Sequence, residues 1–70
     1  MVDISRLRSI IKEKGMTVSA TARMAGVERV TLYNRFAGKG EFTVSEIEGL
    51  SDALCLSTAD RNEIFFCGKG

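Results

Sequence analysis

Apolar residues recur at helical spacing along most of the chain, and the breaks in that rhythm fall largely at glycines. Ile4, Leu7, Ile10 and Ile11 share one stripe, while Arg6, Arg8, Ser9, Lys12 and Glu13 fill the other side. This predicts a first helix from about Asp3, its N-cap, to Lys14, with Lys12 and Lys14 at the negative end of the helix dipole and Gly15 as the stop. A second helix is predicted from the N-cap Thr17 to about Ala25. Its small residues Ala20, Ala22 and Ala25 let a neighbouring helix approach closely, and Gly26 permits a left-handed turn without a Cβ penalty. The third helix is predicted over about Glu28 to Ala37. Leu32 and Phe36 share its inward stripe, Arg29, Val30, Tyr33 and Asn34 point elsewhere, and Gly38-Lys39-Gly40 ends it.

Thr43 followed three residues later by Glu46 is a capping-box signature for a fourth helix, and Phe42 before the cap is a candidate hydrophobic staple. Ile47, Leu50 and Leu54 predict the buried stripe of that helix. Gly49 costs about 1 kcal/mol against Ala in a helix interior, so its presence implies close packing. Ser57-Thr58-Ala59-Asp60 opens a fifth short helix that ends near Ile64, Phe65 and Phe66. Two adjacent aromatics cannot both face one core, so one of Phe65 and Phe66 is left for a partner, and both are candidate dimer contacts.

The pattern therefore predicts an all-α, compact five-helix fold in one domain over residues 1–70, with residues 67–70 as a flexible tail. The absence of Pro supports an all-helical chain, and 44% hydrophobic with 27% charged residues fits a globular one. A chain of this size buries only about 60% of the surface that its unfolded form exposes, so its core is modest.

Chemistry of the enzymatic kind is not expected. The chain has no His, its two cysteines lack the neighbours a zinc site needs, and it is too short to enclose a substrate pocket. No cofactor or metal is expected. Cys55 is expected to be a small buried hydrophobe, Cys67 a tail residue, and both thiols free in a reducing compartment. A charged amphipathic segment follows Met1, so no secretory leader is expected. No apolar run approaches the ~18 residues of a membrane span, and no membrane partner is expected. The formal net charge of +1 does not by itself point to nucleic acid. Its distribution is more telling: Arg23, Arg29, Arg35 and Lys39 precede an acidic stretch holding Glu46, Glu48, Asp52, Asp60 and Glu63.

The segment over residues 17–37 carries the strongest functional signal. Ala22 sits four residues before Gly26, Val27 follows at once, and Leu32 comes five residues later. Val27 is apolar at a turn, which fits a plug beneath two helices. This is the frame of a helix-turn-helix, in which the second helix is held out for the major groove of DNA.

Over nearly its whole length, from about Ile4 to Phe66, the chain resembles the Cro and lambda-repressor-like DNA-binding domains, the Xre-type regulators. The run from Ala37 to Ile47, AGKGEFTVSEI, is similar to the pattern that follows the recognition helix in short phage-encoded members, and Leu54, Leu56-Ser57 and Phe65-Phe66 also suit that family. The resemblance implies a five-helix fold and sequence-specific binding of double-stranded operator DNA, usually as a homodimer on a palindromic site. It implies base contacts from Arg29, Val30 and Asn34. Arg29 would be bidentate to guanine, Val30 would lie on a thymine methyl, and Asn34 would bond adenine or a phosphate. Thr17, Tyr33 and Lys39 would contact the DNA backbone. The chain departs from the family at Val18, where many relatives place a bracing Gln, and at Thr21 and Ala25, which are smaller or more polar than the usual core residues. It departs again at Glu28, whose charge repels phosphate, and at Arg35, where relatives carry an apolar residue and Phe36 is expected to take the core role.

A phage or prophage repressor of the Cro type, acting by operator occupancy in the bacterial host cytoplasm or nucleoid, is the leading expectation. Near-neutral charge, Val18 and Glu28 favour a second reading, a protein-interaction module (inhibitor or adaptor) on the same helical fold.

Overall fold

A computed structural model describes residues 2–66. Its regular elements are five helices: α1 (Ile4–Glu13), α2 (Val18–Ala25), α3 (Arg29–Phe36), α4 (Val44–Ala53) and α5 (Thr58–Phe65). The all-α, five-helix expectation is met. The expected tail and Cys67 lie outside the described residues.

Four of the five helices start on a short polar side chain. Asp3, Thr17, Thr43 and Ser57 accept hydrogen bonds from the backbone N–H of Arg6, Ala20, Glu46 and Asp60, each at 3.0–3.1 Å. The capping box of α4 is complete, because the Glu46 carboxylate accepts in return from the Thr43 N–H at 3.1 Å. α3 is the exception: Glu28 occupies its N-cap position and makes no side-chain cap bond. The short α3 therefore depends on its neighbours for stability.

Helix ends follow one rule with an instructive exception. After α1, α2 and α4 the chain enters the left-handed region at Gly15 (φ 70°), Gly26 (φ 75°) and Cys55 (φ 54°). The next residue then returns its N–H to a carbonyl in the last turn: Met16 to Ile11, Val27 to Ala22 and Leu56 to Ser51. Met16, Val27 and Leu56 are all apolar, and all three pack against the core. Val27 thus does plug the corner between α2 and α3. α3 ends the same way at Gly38 (φ 84°), with Lys39 N–H bonded to the Asn34 carbonyl at 2.8 Å, but Lys39 is polar and exposed.

Cys55 corrects the sequence expectation. It is exposed rather than buried. Its place in the capping motif, not its apolarity, sets its position: the left-handed turn throws its side chain outward while Leu56 takes the inward site.

The core contains Leu7, Ile10 and Ile11 of α1, Ala22 of α2, Leu32 of α3, Leu50 and Leu54 at α4, and Ile64 and Phe65 of α5. α2 packs most extensively on α4. At their crossing, a Cβ placed on Gly49 would overlap the Ala25 carbonyl, so the two backbones are in direct contact. Thr21 is fully buried at this corner and satisfies its hydroxyl by donating to the Thr17 carbonyl at 2.9 Å. The N-terminus is tied to α5 by the Asp3 N–H to Ile64 carbonyl bond at 2.7 Å and by Arg6, which reaches Asp60 and Glu63 at 3.7 and 3.6 Å.

Phe65 and Phe66 divide as two neighbours on a helix must. Phe65 is 3% exposed and meets Phe42 edge to face with centroids 5.5 Å apart, so it belongs to the core and is not free for a partner. Phe66 is 49% exposed. It lines a groove of about 400 Å³ together with Val2, Phe42, Ile47 and, from the loop after α3, Gly38, Gly40 and Glu41. Phe42 and Ile47, the two staple positions of α4, both pack on the core at the floor of this groove.

Gly49→Ala is expected to lower unfolding free energy by about 1–3 kcal/mol, although Ala is the better helix former by about 1 kcal/mol. A denaturant titration showing equal or greater stability would contradict direct backbone contact between α2 and α4. Cys55→Gly should act the other way and raise stability by about 0.5–1 kcal/mol through relief of the left-handed strain. An unchanged or lower thermal midpoint would count against that strain.

Candidate nucleic-acid interface

α3 is anchored from below by Leu32, which is fully buried, and by Phe36, which is half-buried against the core. The guanidinium of Arg8 lies 5.4 Å from the Phe36 ring centroid, joining α1 to α3 by a cation–π contact. With the inward positions filled, positions 29, 30, 33 and 34 fall on the outward face of the helix. Arg29, Val30, Tyr33 and Asn34 are all exposed there, Val30 at 65% and Tyr33 at 48%. The side chains of Arg29 and Asn34 have no hydrogen-bond or ion-pair partner among the described residues. This face is therefore open, and an exposed valine on it contributes nothing to the fold.

The remaining predicted residues flank α3 on other elements. Thr17 is exposed at the start of α2, where its oxygen caps the helix and its hydroxyl proton is left to donate outward. Lys39 is exposed in the loop after α3. Two neighbours join the predicted set. Arg23 of α2 shares a shallow crevice with Arg29 and Val27, and Lys12 of α1 shares another with Thr17 and Val18. Lys12 was expected only to answer the α1 dipole, and its nearness to Thr17 across the α1–α2 turn is a tertiary relation that helical periodicity does not reveal. Val18 is half-buried and packs against the core, so its side chain makes an apolar contact at the start of α2.

Arg35 departs from the group of cations that the sequence places with it, Arg23, Arg29 and Lys39. Its side chain is only 19% exposed and forms a two-pronged ion pair with Glu46, Nε to Oε1 at 3.1 Å and Nη2 to Oε2 at 3.2 Å. Its charge is neutralised inside the molecule. Arg6 is likewise committed to Asp60 and Glu63. Lys12, Arg23, Arg29 and Lys39, by contrast, make no ion pair among the described residues. These four cations thus lie on α2, α3 or their flanks, although Arg61 of α5 is also without an ion pair among the described residues, while three acids of the later segments are partly cancelled. The net charge of +1 conceals this separation.

Against known proteins, the model of a helix-turn-helix family, the Xre and lambda-repressor-like type, matches residues 7–60. The chain belongs to this family. Its members are DNA-binding transcription regulators rather than enzymes. No curated protein and no solved structure matches the chain significantly. The family match spans the α2–α3 corner and the exposed face of α3. No helix among the described residues is long and apolar enough to cross a membrane.

Because Arg29, Val30 and Asn34 support nothing in the fold, each single alanine variant should unfold within about 0.5 kcal/mol of the wild type. Leu32→Ala should cost about 2–5 kcal/mol. A large loss at any of the three exposed positions would show that this face is structural.

Proposed function

We propose that the chain is a sequence-specific repressor of the phage or prophage Cro type, which occupies a palindromic operator as a homodimer in the bacterial cytoplasm. The observation that carries this reading is the outward face of α3, where a guanidinium, a carboxamide and an isolated aliphatic side chain stand together without an internal role. These are the three chemistries used to read the major groove. Arg29 donates two hydrogen bonds to O6 and N7 of guanine, Asn34 pairs with N6 and N7 of adenine or reaches a phosphate, and Val30 packs on a thymine methyl. Thr17, Tyr33 and Lys39 hold the sugar-phosphate backbone on either side and fix the register of α3. Lys12 and Arg23 add to the field that draws the duplex in. Repression follows from occupancy, since a bound domain excludes polymerase from the same stretch of DNA.

Homodimerisation supplies selectivity that a single short helix cannot. Two copies engage two half-sites about 34 Å apart, and the second contact becomes intramolecular once the first is made. Phe66 is the apolar contact offered for that pairing, since it is exposed beside the loop that leads out of α3.

A protein-interaction module on the same fold makes the opposite forecast in salt. On the DNA reading, affinity for a mixed-sequence duplex falls steeply as salt rises, by about 0.9 log units per log unit of salt for each neutralised phosphate. On the operator, Arg29→Ala should cost about 1–3 kcal/mol and relax preference at one base pair per half-site. A flat salt response would favour the interaction module, and an unchanged base preference in Arg29→Ala would remove Arg29 from the base-reading set.

A further inference from the structure

We infer that Arg35 and Glu46 are positioning residues that present Lys39 to the DNA backbone; this rests on the DNA-binding reading above. All three guanidinium nitrogens of Arg35 are engaged. Nε and Nη2 hold the two oxygens of Glu46, and Nη1 donates to the Lys39 carbonyl at 3.2 Å. The Glu46 Oε1 that accepts from Arg35 also accepts from the Thr43 N–H at 3.1 Å. One carboxylate therefore joins the last turn of α3, through Arg35, to the first turn of α4, and the same guanidinium grips the loop between them.

The loop is shaped to fit this clamp. Gly40 has φ 84°, and a Cβ built on it would lie 2.6 Å from Arg35 Nη1, so the guanidinium lies flush against the Gly40 backbone. Lys39 is held at both ends of its peptide unit, its N–H by the Asn34 carbonyl and its own carbonyl by Arg35. Its side chain alone is left in solvent. At the equivalent position after α1, α2 and α4, an apolar side chain anchors the turn by entering the core. After α3 that anchor is absent, and the Arg35–Glu46 pair takes its place. This frees the position for a lysine while keeping the loop ordered before DNA arrives, which reduces the ordering entropy lost on binding. Both partners are four-fifths or more buried, so the pair is not a screened surface contact.

The clamp makes an electrostatic forecast opposite to simple charge counting. Removing a carboxylate near a DNA-facing surface should by itself strengthen binding. If Glu46 acts through the loop, Glu46→Gln must weaken binding instead. The test compares wild type, Glu46→Gln, Arg35→Gln, Lys39→Ala and the Arg35→Gln/Lys39→Ala double variant on one mixed-sequence duplex across a salt series. Glu46→Gln retains the oxygen that caps α4, and equal helix content by circular dichroism controls for folding. Glu46→Gln and Arg35→Gln are each expected to bind about three- to tenfold more weakly, with the salt slope shallower by about 0.9. The double variant should be no weaker than Lys39→Ala alone.

Tighter binding by Glu46→Gln, or additive losses in the double variant, would overturn the inference while leaving the DNA reading intact. Failure of the wild type to bind any duplex would sink both. In the free chain, amide hydrogen exchange at residues 39–41 should accelerate in Glu46→Gln and in Gly40→Ala, with α1 and α2 unchanged. Unaltered exchange in that loop would also overturn the inference.

Discussion

Direct backbone contact between α2 and α4 at Ala25 and Gly49 sets the spacing on which the rest of the molecule depends. A helix pair this close needs small residues on both sides, and the sequence supplies them at Ala22, Ala25 and Gly49. With α2 seated on α4, Val27 and Leu32 reach the apolar corner and α3 has a floor to rest on. Pushed apart by even one methyl group, the two helices would leave Leu32 facing a gap. The exposure of α3 is thus a consequence of packing elsewhere, since α3 itself has no side-chain N-cap and only one fully buried residue.

The electrostatic character of the surface follows from which charges are consumed internally. Arg6 fastens α1 to α5, and Arg35 fastens α3 to α4. Both draw acids of the later helices into pairs. Four cations without such duties, Lys12, Arg23, Arg29 and Lys39, lie about α2 and α3. A chain with almost no net charge can in this way present a local positive surface to an anionic polymer. The family to which the chain belongs binds DNA, and this sorting of charges shows how a nearly neutral member retains the electrostatic means to do so.

Much of the fold was legible because its signals are local. Capping residues three positions ahead of the backbone N–H groups that donate to them, and the Thr43–Glu46 box, lie within one turn of the features they control. The outward face of α3 was legible for the same reason, once Leu32 and Phe36 had been assigned inward. Relations across the tertiary structure were not. Arg35 and Glu46 lie eleven residues apart on different helices, and nothing in either helix pattern pairs them, so charge alone places Arg35 with Arg23, Arg29 and Lys39. Cys55 was misplaced because its hydropathy suggested burial, while its position at a left-handed helix end decided its exposure. The Phe65–Phe66 pair could be seen to divide, but which of them enters the core depends on the phase of α5 against Phe42.

The central claim is that the free face of α3 reads base edges, with two copies acting together. Selection of bound duplexes from a random library tests it most directly. The account predicts an enriched consensus with two-fold symmetry, its half-sites about one helical turn apart, and preferences at the positions beneath Arg29, Val30 and Asn34. Recovery of duplexes with no common sequence would contradict it.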